Sequence, residues 1–239
     1  MRRLLFLLAA CGDPEAVTVD APPVTIDAPP AIDAAVGFGE LGTMCGVLND
    51  PELTGPSPLL VRTSLTFPRA YMDPADRPLL TPGGQRLAAT PNAGGSSGLS
   101  EIFAYEQIAR CEQAMLLKTE TEVTYQMNGK ITDLVAQIDG VKIGMSVTRA
   151  VAFPFGSTYT LQTAQELLQR KLEDIQASTA NVTAADRWEK QILGYLAWDD
   201  AVADTVVQAW GNIDAATKAD TILLISVTHG EDLFIYSNN

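Results

Sequence analysis

The sequence predicts an α/β fold with a mixed sheet and the element order α-β-β-β-α-β-α-β-β. Two turn dipeptides, Asn128-Gly129 and Asp139-Gly140, separate three apolar stretches, as expected for a three-strand meander. From residue 160 onward, helical periodicity alternates with short apolar runs. Hydrophobic residues make up 46% of the 239 residues, enough for one sizeable core. Helices on the faces of a mixed sheet follow from these patterns.

Each element has its own signal. The first helix follows residue 97, where apolar residues recur at helical spacing. Alternating or β-branched stretches then predict the three meander strands at 122–127, 131–138 and 141–148. Helices are predicted at 160–176 and 200–212, the second capped by Asp199 or Asp200. The remaining strands are predicted at 192–198, 221–227 and 233–236.

The amino terminus has the composition of an export signal. Arg2 and Arg3 precede a short apolar run that ends at Cys11, and Gly-Asp-Pro follows. The run is far shorter than the ~20 residues that a transmembrane helix needs. Residues 1–11 therefore resemble a lipoprotein signal with a bacterial lipobox, which implies a lipid anchor at Cys11 and an outer-membrane or surface location in the cell envelope.

The next two segments differ from the α/β domain in composition. Residues 12–36 repeat a seven-residue unit with paired prolines, which predicts a disordered, extended tether. Residues 37–96 are rich in Gly and Pro and are predicted as an irregular extension packed on the core, with 59–67 as its best strand candidate. The α/β domain then spans 97–239.

Charge and cysteine content limit the partners and the chemistry. The chain carries 29 acidic and 16 basic residues, a net charge of −13, which disfavours nucleic acid as a partner except at a local basic patch. A single His and three Cys exclude a structural zinc module. In an oxidising compartment Cys45 and Cys111 form a disulfide, with two buried free thiols as the alternative.

The element order resembles the core of PD-(D/E)XK nucleases, the restriction-endonuclease-like fold. The segment Gly144 to Ala150, preceded by Asp133, is similar to one in a nuclease-like family. The resemblance implies a Mg²⁺ site in which Asp133 and a carboxylate from Glu101 or Glu122 are ligands, because Mg²⁺ prefers oxygen donors. Any protein partner is unidentified.

The resemblance also has departures. Ser146 and Thr148 stand where the second acidic residue and the Lys are expected, and Lys171 on the following helix is the candidate substitute for that Lys. Two hypotheses follow: a domain that has kept Mg²⁺-dependent nuclease activity, and a degenerate domain that acts as a surface binding module for a protein or ligand. A Ser hydrolase based on the Gly94–Gly98 loop, with His229 as its base, lacks the strand that a nucleophile elbow requires.

Overall fold

The structure is a computed structural model that describes residues 37–91, 98–152, 154 and 156–237. The predicted signal with Cys11 and the predicted tether at 12–36 lie outside these residues. Within the described ranges, no helix is both long enough and apolar enough to cross a membrane.

One mixed sheet organises the described chain. Its seven strands are, in chain order, β1 (Glu40–Leu41), β2 (Leu59–Phe67), β3 (Met115–Thr119), β4 (Leu134–Ile138), β5 (Val141–Ala150), β6 (Lys190–Ala197) and β7 (Ile222–Gly230). Across the sheet the order is β1-β2-β7-β6-β5-β4-β3. Strands β2, β7, β6 and β5 are mutually parallel, whereas β1 pairs antiparallel with β2 and β3-β4-β5 form an antiparallel meander.

Helices cover the two faces of the sheet. They are α1 (Asp50–Thr54), α2 (Pro82–Ala89), α3 (Gly98–Cys111), α4 (Leu161–Asn181), α5 (Asp200–Asn212), α6 (Ala215–Lys218) and α7 (Leu233–Tyr236). Neighbouring residues of a strand point to opposite faces, so Ile192 packs in the cluster with α3 while Leu193 packs in the cluster with α4 and α5. The mixed α/β class predicted from the sequence is confirmed.

Several predicted elements occur close to their expected positions. Asp139 and Gly140 form the tight turn between β4 and β5, with φ of 47° and 85°. Positive φ at both central residues suits a two-residue hairpin. Asp199 caps α5, since its side chain accepts a hydrogen bond from Val202 N at 2.7 Å.

The first meander strand was predicted wrongly. The predicted strand at 122–127 is replaced by β3, and Glu120–Glu122 forms a 3-10 turn instead. The Glu122 carboxylate accepts a hydrogen bond from Thr119 N at 2.8 Å, which ends β3 and turns the chain. Tyr125 then bridges to Val182 at the end of α4, so Asn128-Gly129 lies in a connecting loop between β3 and β4.

The last predicted strand, 233–236, is the short helix α7. A run of four apolar residues is too short for its period to distinguish a strand from a helix. Phe234 contacts Phe67 and Phe103 at ring-centroid distances of 5.1 and 5.3 Å, and the helical turn aims it into that aromatic cluster.

The segment at 37–96 is more regular than its composition indicates. Strand β2 pairs along its full length with β7, from Leu59 with Ile222 to Phe67 with Gly230. The segment is also tied to α3 by a disulfide between Cys45 and Cys111. The predicted pairing of the two cysteines is therefore present, and the predicted irregular extension contributes an interior strand.

Candidate active site

Asp133 lies immediately before β4, and the backbone around it is firmly held. Its own N–H donates to Met145 O at 3.0 Å, and the hydroxyl of Thr132 donates to the same carbonyl at 2.9 Å. Val147 N then donates to Asp133 Oδ2 at 2.5 Å. The antiparallel pairing of β4 and β5 brings these groups together, so the position of the carboxyl is set by backbone contacts.

The Asp133 carboxyl has an unusual proton affinity. Part of the residue's surface remains exposed, but the carboxyl group itself is packed deep among protein atoms. This burial, with the neighbouring charge of Glu101, raises the pKa of Asp133 to about 7, against the opposing effects of the Val147 amide and Lys171. Desolvation and a like charge both disfavour the ionised form of an acid.

Lys171 approaches β5, the strand that carries Val147, from α4 on the other face of the sheet. It lies on α4 between Leu168 and Leu172, which are fully buried against the sheet. Its ammonium Nζ donates to Val147 O at 3.4 Å. Val147 therefore contacts Asp133 through its amide and Lys171 through its carbonyl, and the two charged side chains interact electrostatically.

Glu101 completes the group. It is in the first turn of α3, 7% exposed, and it lines a cavity of about 40 Å³ together with Glu120 and Asp133. Glu101 also interacts electrostatically with Arg149 on β5. Glu120 was not predicted as a site residue; its closeness to Asp133 depends on the 3-10 turn after β3, which the sequence pattern did not indicate.

Glu122, the alternative carboxylate, is held elsewhere. Both its oxygens accept hydrogen bonds from Arg86 Nη2, at 2.6 and 2.8 Å, and its side chain is 43% exposed. The hydrogen bonds from Arg86 lower the pKa of Glu122. The structure thus brings Glu101 and Lys171 to Asp133 and keeps Glu122 in a surface ion pair.

The positions of the expected acid-x-Lys triplet carry neutral side chains. Ser146 is 7% exposed, and its hydroxyl lies 3.4 Å from that of Thr132. Thr148 opens into a cavity of about 350 Å³ that also contains Arg149, Arg170 and Lys171. Basic side chains therefore adjoin the buried carboxyls, although the whole chain is acidic.

Glu101 and Asp133 are two carboxylates that line one cavity. Among the described residues, no group of three or more His, Cys, Asp or Glu side chains could hold a metal ion. Mg²⁺, however, is commonly held by one or two carboxylates and keeps several waters, and Glu101 and Asp133 supply two such carboxylates.

The arrangement can also move a proton. A carboxyl with a pKa of about 7 changes charge near neutral pH, which is the range in which a general base is most effective. Strongly shifted groups that face a charged partner in a cleft are typical of functional sites.

The Ser-hydrolase alternative gains nothing from the fold. His229 lies at the end of β7, whereas residues 92–97, with the serine of that motif, are outside the described residues.

Comparison with known proteins gives limited matches. No family model matches the chain. The AAC-rich mRNA clone AAC4 protein of Dictyostelium discoideum is 39% identical over 163 residues, which are 65% of this chain and 24% of that protein. The chain therefore spans about a quarter of the curated relative that it matches.

A solved structure of Pyrococcus furiosus SfsA in complex with Ca²⁺ is a weak structural neighbour. The TM-score is 0.26 and the identity 10%, over 59% of this chain and 69% of that one. A likeness at this level does not define the fold.

Proposed function

We propose that the domain is a member of the PD-(D/E)XK-like, restriction-endonuclease-like group. The succession α3, β3-β4-β5, α4 and β6 matches a helix, a three-strand meander, a helix and a further strand. In this alignment Asp133 stands at the start of the second meander strand. The antiparallel meander followed by β6 parallel to β5 supports the proposal.

The function that this site supports best is Mg²⁺-dependent hydrolysis of a phosphodiester. The observation that carries it is the convergence of Glu101 and Lys171 on the buried carboxyl of Asp133. Glu101 and Asp133 would hold the metal, and bound Mg²⁺ would polarise the phosphate and lower the pKa of a water.

The side chains of the chain itself have separate tasks in this proposal. The Val147 amide orients Oδ2 of Asp133, which leaves the other carboxylate oxygen to bind or to accept a proton. Lys171 supplies a positive charge beside the developing negative charge of the phosphate. Arg149 and Arg170, on the adjoining cavity, attract the phosphate despite the net charge of −13.

A second candidate is a degenerate domain that binds a ligand without hydrolysing it. Ser146 and Thr148 favour this candidate, because neither side chain replaces a carboxylate or an ammonium group. Both candidates use the cavity at Asp133 and the adjoining basic cavity. They differ in whether the bound ligand is hydrolysed.

Hydrolysis assays separate the two. The protein is incubated with labelled single-stranded and duplex DNA and RNA, with Mg²⁺, Mn²⁺ or EDTA, beside the Asp133→Asn variant. We expect cleavage that requires metal and falls at least a hundredfold in the variant. Binding without cleavage in any metal would favour the degenerate module, and equal cleavage by the variant would refute the assignment of Asp133.

We also propose that the protein is exported and anchored to the bacterial envelope membrane through a lipid on Cys11. The Cys45–Cys111 disulfide supports export, because such bonds persist in oxidising compartments. Mass spectrometry of the mature amino terminus tests the anchor. Diacylglyceryl-modified Cys11 is expected, and an intact Met1 start would contradict it.

A further inference from the structure

A further cavity lies at the amino ends of β6 and β7 and shares no lining residue with the cavity at Asp133. Its volume is about 360 Å³. Three parts of the chain form its wall: the second half of α4, the residues around the start of β6, and the loop that leads into β7. Cavities of this size hold small molecules, and the polar groups in the wall indicate which kind would fit.

The hydroxyl of Thr179, on α4, is a hydrogen-bond donor to the cavity. Its oxygen accepts hydrogen bonds from Trp188 Nε1 at 3.1 Å and from Gln191 Nε2 at 3.2 Å. A hydroxyl oxygen has two lone pairs, and both are thereby occupied. In the part of the chain that the structure describes, no acceptor takes the hydroxyl proton, and the residue is partly exposed. Thr179 therefore offers a donor whose orientation two neighbours fix.

Gln191, on β6, offers an acceptor beside this donor. Its amide nitrogen donates to Ser178 Oγ at 3.1 Å and to Thr179, so both its protons are used. Its Oε1 is buried and has no hydrogen-bond partner within residues 37–91, 98–152, 154 and 156–237. Gly144 pairs with Gln191 across β5 and β6, and a Cβ there would lie 3.1 Å from Gln191 Cδ. An unpaired buried acceptor costs free energy that a donor on a ligand recovers.

Opposite charges line the same cavity. Arg187 and Glu189 precede β6 and are exposed, and Asp220 precedes β7 and is partly exposed. Among the described side chains, none of these three forms a hydrogen bond or an ion pair. The ammonium of Lys190 is used elsewhere: it donates to two backbone carbonyls after α1, at 2.7 and 3.1 Å, and interacts with Asp220 electrostatically. A ligand with both charges would pair both signs at once.

We propose that this cavity binds a free α-amino acid. The carboxylate of the ligand lies between Arg187 and the Thr179 hydroxyl, and its ammonium group faces Asp220 and the unpaired oxygen of Gln191. A carboxylate only accepts hydrogen bonds and an ammonium group only donates them, so the zwitterion complements each of these groups. Ile175 in the same wall leaves an apolar contact for the side chain of the ligand. The site goes beyond the proposed phosphodiester chemistry and uses none of its residues.

Ligand-observed NMR with the twenty protein amino acids, in small pools, tests the proposal. The tightest binder is then measured by calorimetry beside two altered forms of the same molecule. The N-acetyl form lacks the ammonium charge, and the carboxamide form lacks the carboxylate. We expect saturable binding of the free amino acid and about tenfold or more weaker binding of each altered form, because each leaves one charge in the wall unpaired.

Two variants test the two ends of the site separately. Arg187→Gln should weaken binding of the free amino acid about tenfold and leave binding of the carboxamide form unchanged. Asp220→Asn should weaken binding of the free amino acid similarly and leave binding of the N-acetyl form unchanged. Neither side chain makes a hydrogen bond that the fold would lose. Arg170→Gln is the matched control, because Arg170 is an exposed arginine in a different cavity, and it should bind like the wild type.

Three results would overturn the proposal. They are no binding of any of the twenty amino acids at millimolar concentration, equal binding of the free and altered forms, and unchanged binding in both Arg187→Gln and Asp220→Asn. Metal-dependent cleavage relies on Asp133, which is not part of this cavity. Failure of amino-acid binding and failure of the proposed hydrolysis are therefore separate outcomes.

Discussion

The amide of Val147 donates a 2.5 Å hydrogen bond to Oδ2 of Asp133. The carbonyl of the same Val147 accepts a hydrogen bond from Lys171. One residue of β5 thus connects the carboxyl before β4 with the ammonium on α4. Burial raises the pKa of Asp133 most, and the charges of Glu101, Lys171 and Glu120 modify that pKa further.

Removing the charge of Glu101 and removing the charge of Lys171 should shift the pKa of Asp133 in opposite directions. Glu101→Gln removes a negative charge and should lower the pKa below its wild-type value of about 7. Lys171→Met removes a positive charge and should raise it. Carbon-13 NMR titration of the Asp133 carboxyl measures both shifts. Glu122→Gln is the control, because Glu122 is paired with Arg86, and it should leave the titration unchanged. Shifts of the same sign in the first two variants would contradict the proposed cluster.

The buried carboxyl should make stability depend on pH. The folded protein binds the Asp133 proton more tightly than the unfolded chain, whose pKa is near 3.8. The contribution of the protonated carboxyl to the free energy of unfolding is fully present below about pH 4. It is lost as the pH rises through about 7.

Asp133→Asn should remove this loss. The amide oxygen can still accept from Val147 N, and no charge remains to be buried. We expect the variant to match the wild type near pH 4 and to exceed its free energy of unfolding at pH 8, by up to about 4 kcal/mol. Urea unfolding at the two pH values measures the difference. A variant less stable than the wild type at pH 8 would mean that ionised Asp133 stabilises the fold.

The disulfide should contribute substantially to stability. Cys45 and Cys111 are separated by 66 residues, and closing a loop of that size stabilises by about 4 kcal/mol in the chain-entropy model. Unfolding in the presence and absence of a reductant should show this difference. The Cys45→Ser and Cys111→Ser double variant should unfold like the reduced wild type and should not respond to the reductant. A reductant effect in that variant would point to a cause other than this bond.

Glu101 and Glu122 give a direct comparison of two candidate ligands. Metal-dependent cleavage should fall at least tenfold in Glu101→Gln and stay within about twofold in Glu122→Gln. The stability of Glu122→Gln should change by no more than about 1 kcal/mol, as for an exposed ion pair. Equal losses of activity in both variants would argue against the site described at Asp133.

Local sequence signals predicted strands β5 to β7 and helices α4 and α5 well. The period of Ala164, Leu168 and Leu172 marks the buried face of α4, and Asp139-Gly140 needs no tertiary context to form its turn. Asp133 was selected as a candidate from the resemblance to PD-(D/E)XK nucleases, because it stands near the start of the second predicted meander strand.

Other features depend on contacts that are distant in the chain. Residues 122–127 have strand-like composition, but the capping contact of Glu122 and the bridge between Tyr125 and Val182 determine their path. Likewise, the nearness of Glu101, Lys171 and Asp133 requires α3 and α4 to pack on the sheet. No local pattern encodes it, and the proximity of Glu120 was missed for the same reason.

Calorimetric titration of Mn²⁺ into the wild-type protein and Asp133→Asn at pH 8 tests the central claim most directly, because Asp133 is ionised there and Mn²⁺ takes oxygen ligands. The account predicts one binding event in the wild type and at least a tenfold weaker one in the variant. Equal binding by the two proteins, or none by the wild type at millimolar metal, would contradict a metal site at Asp133.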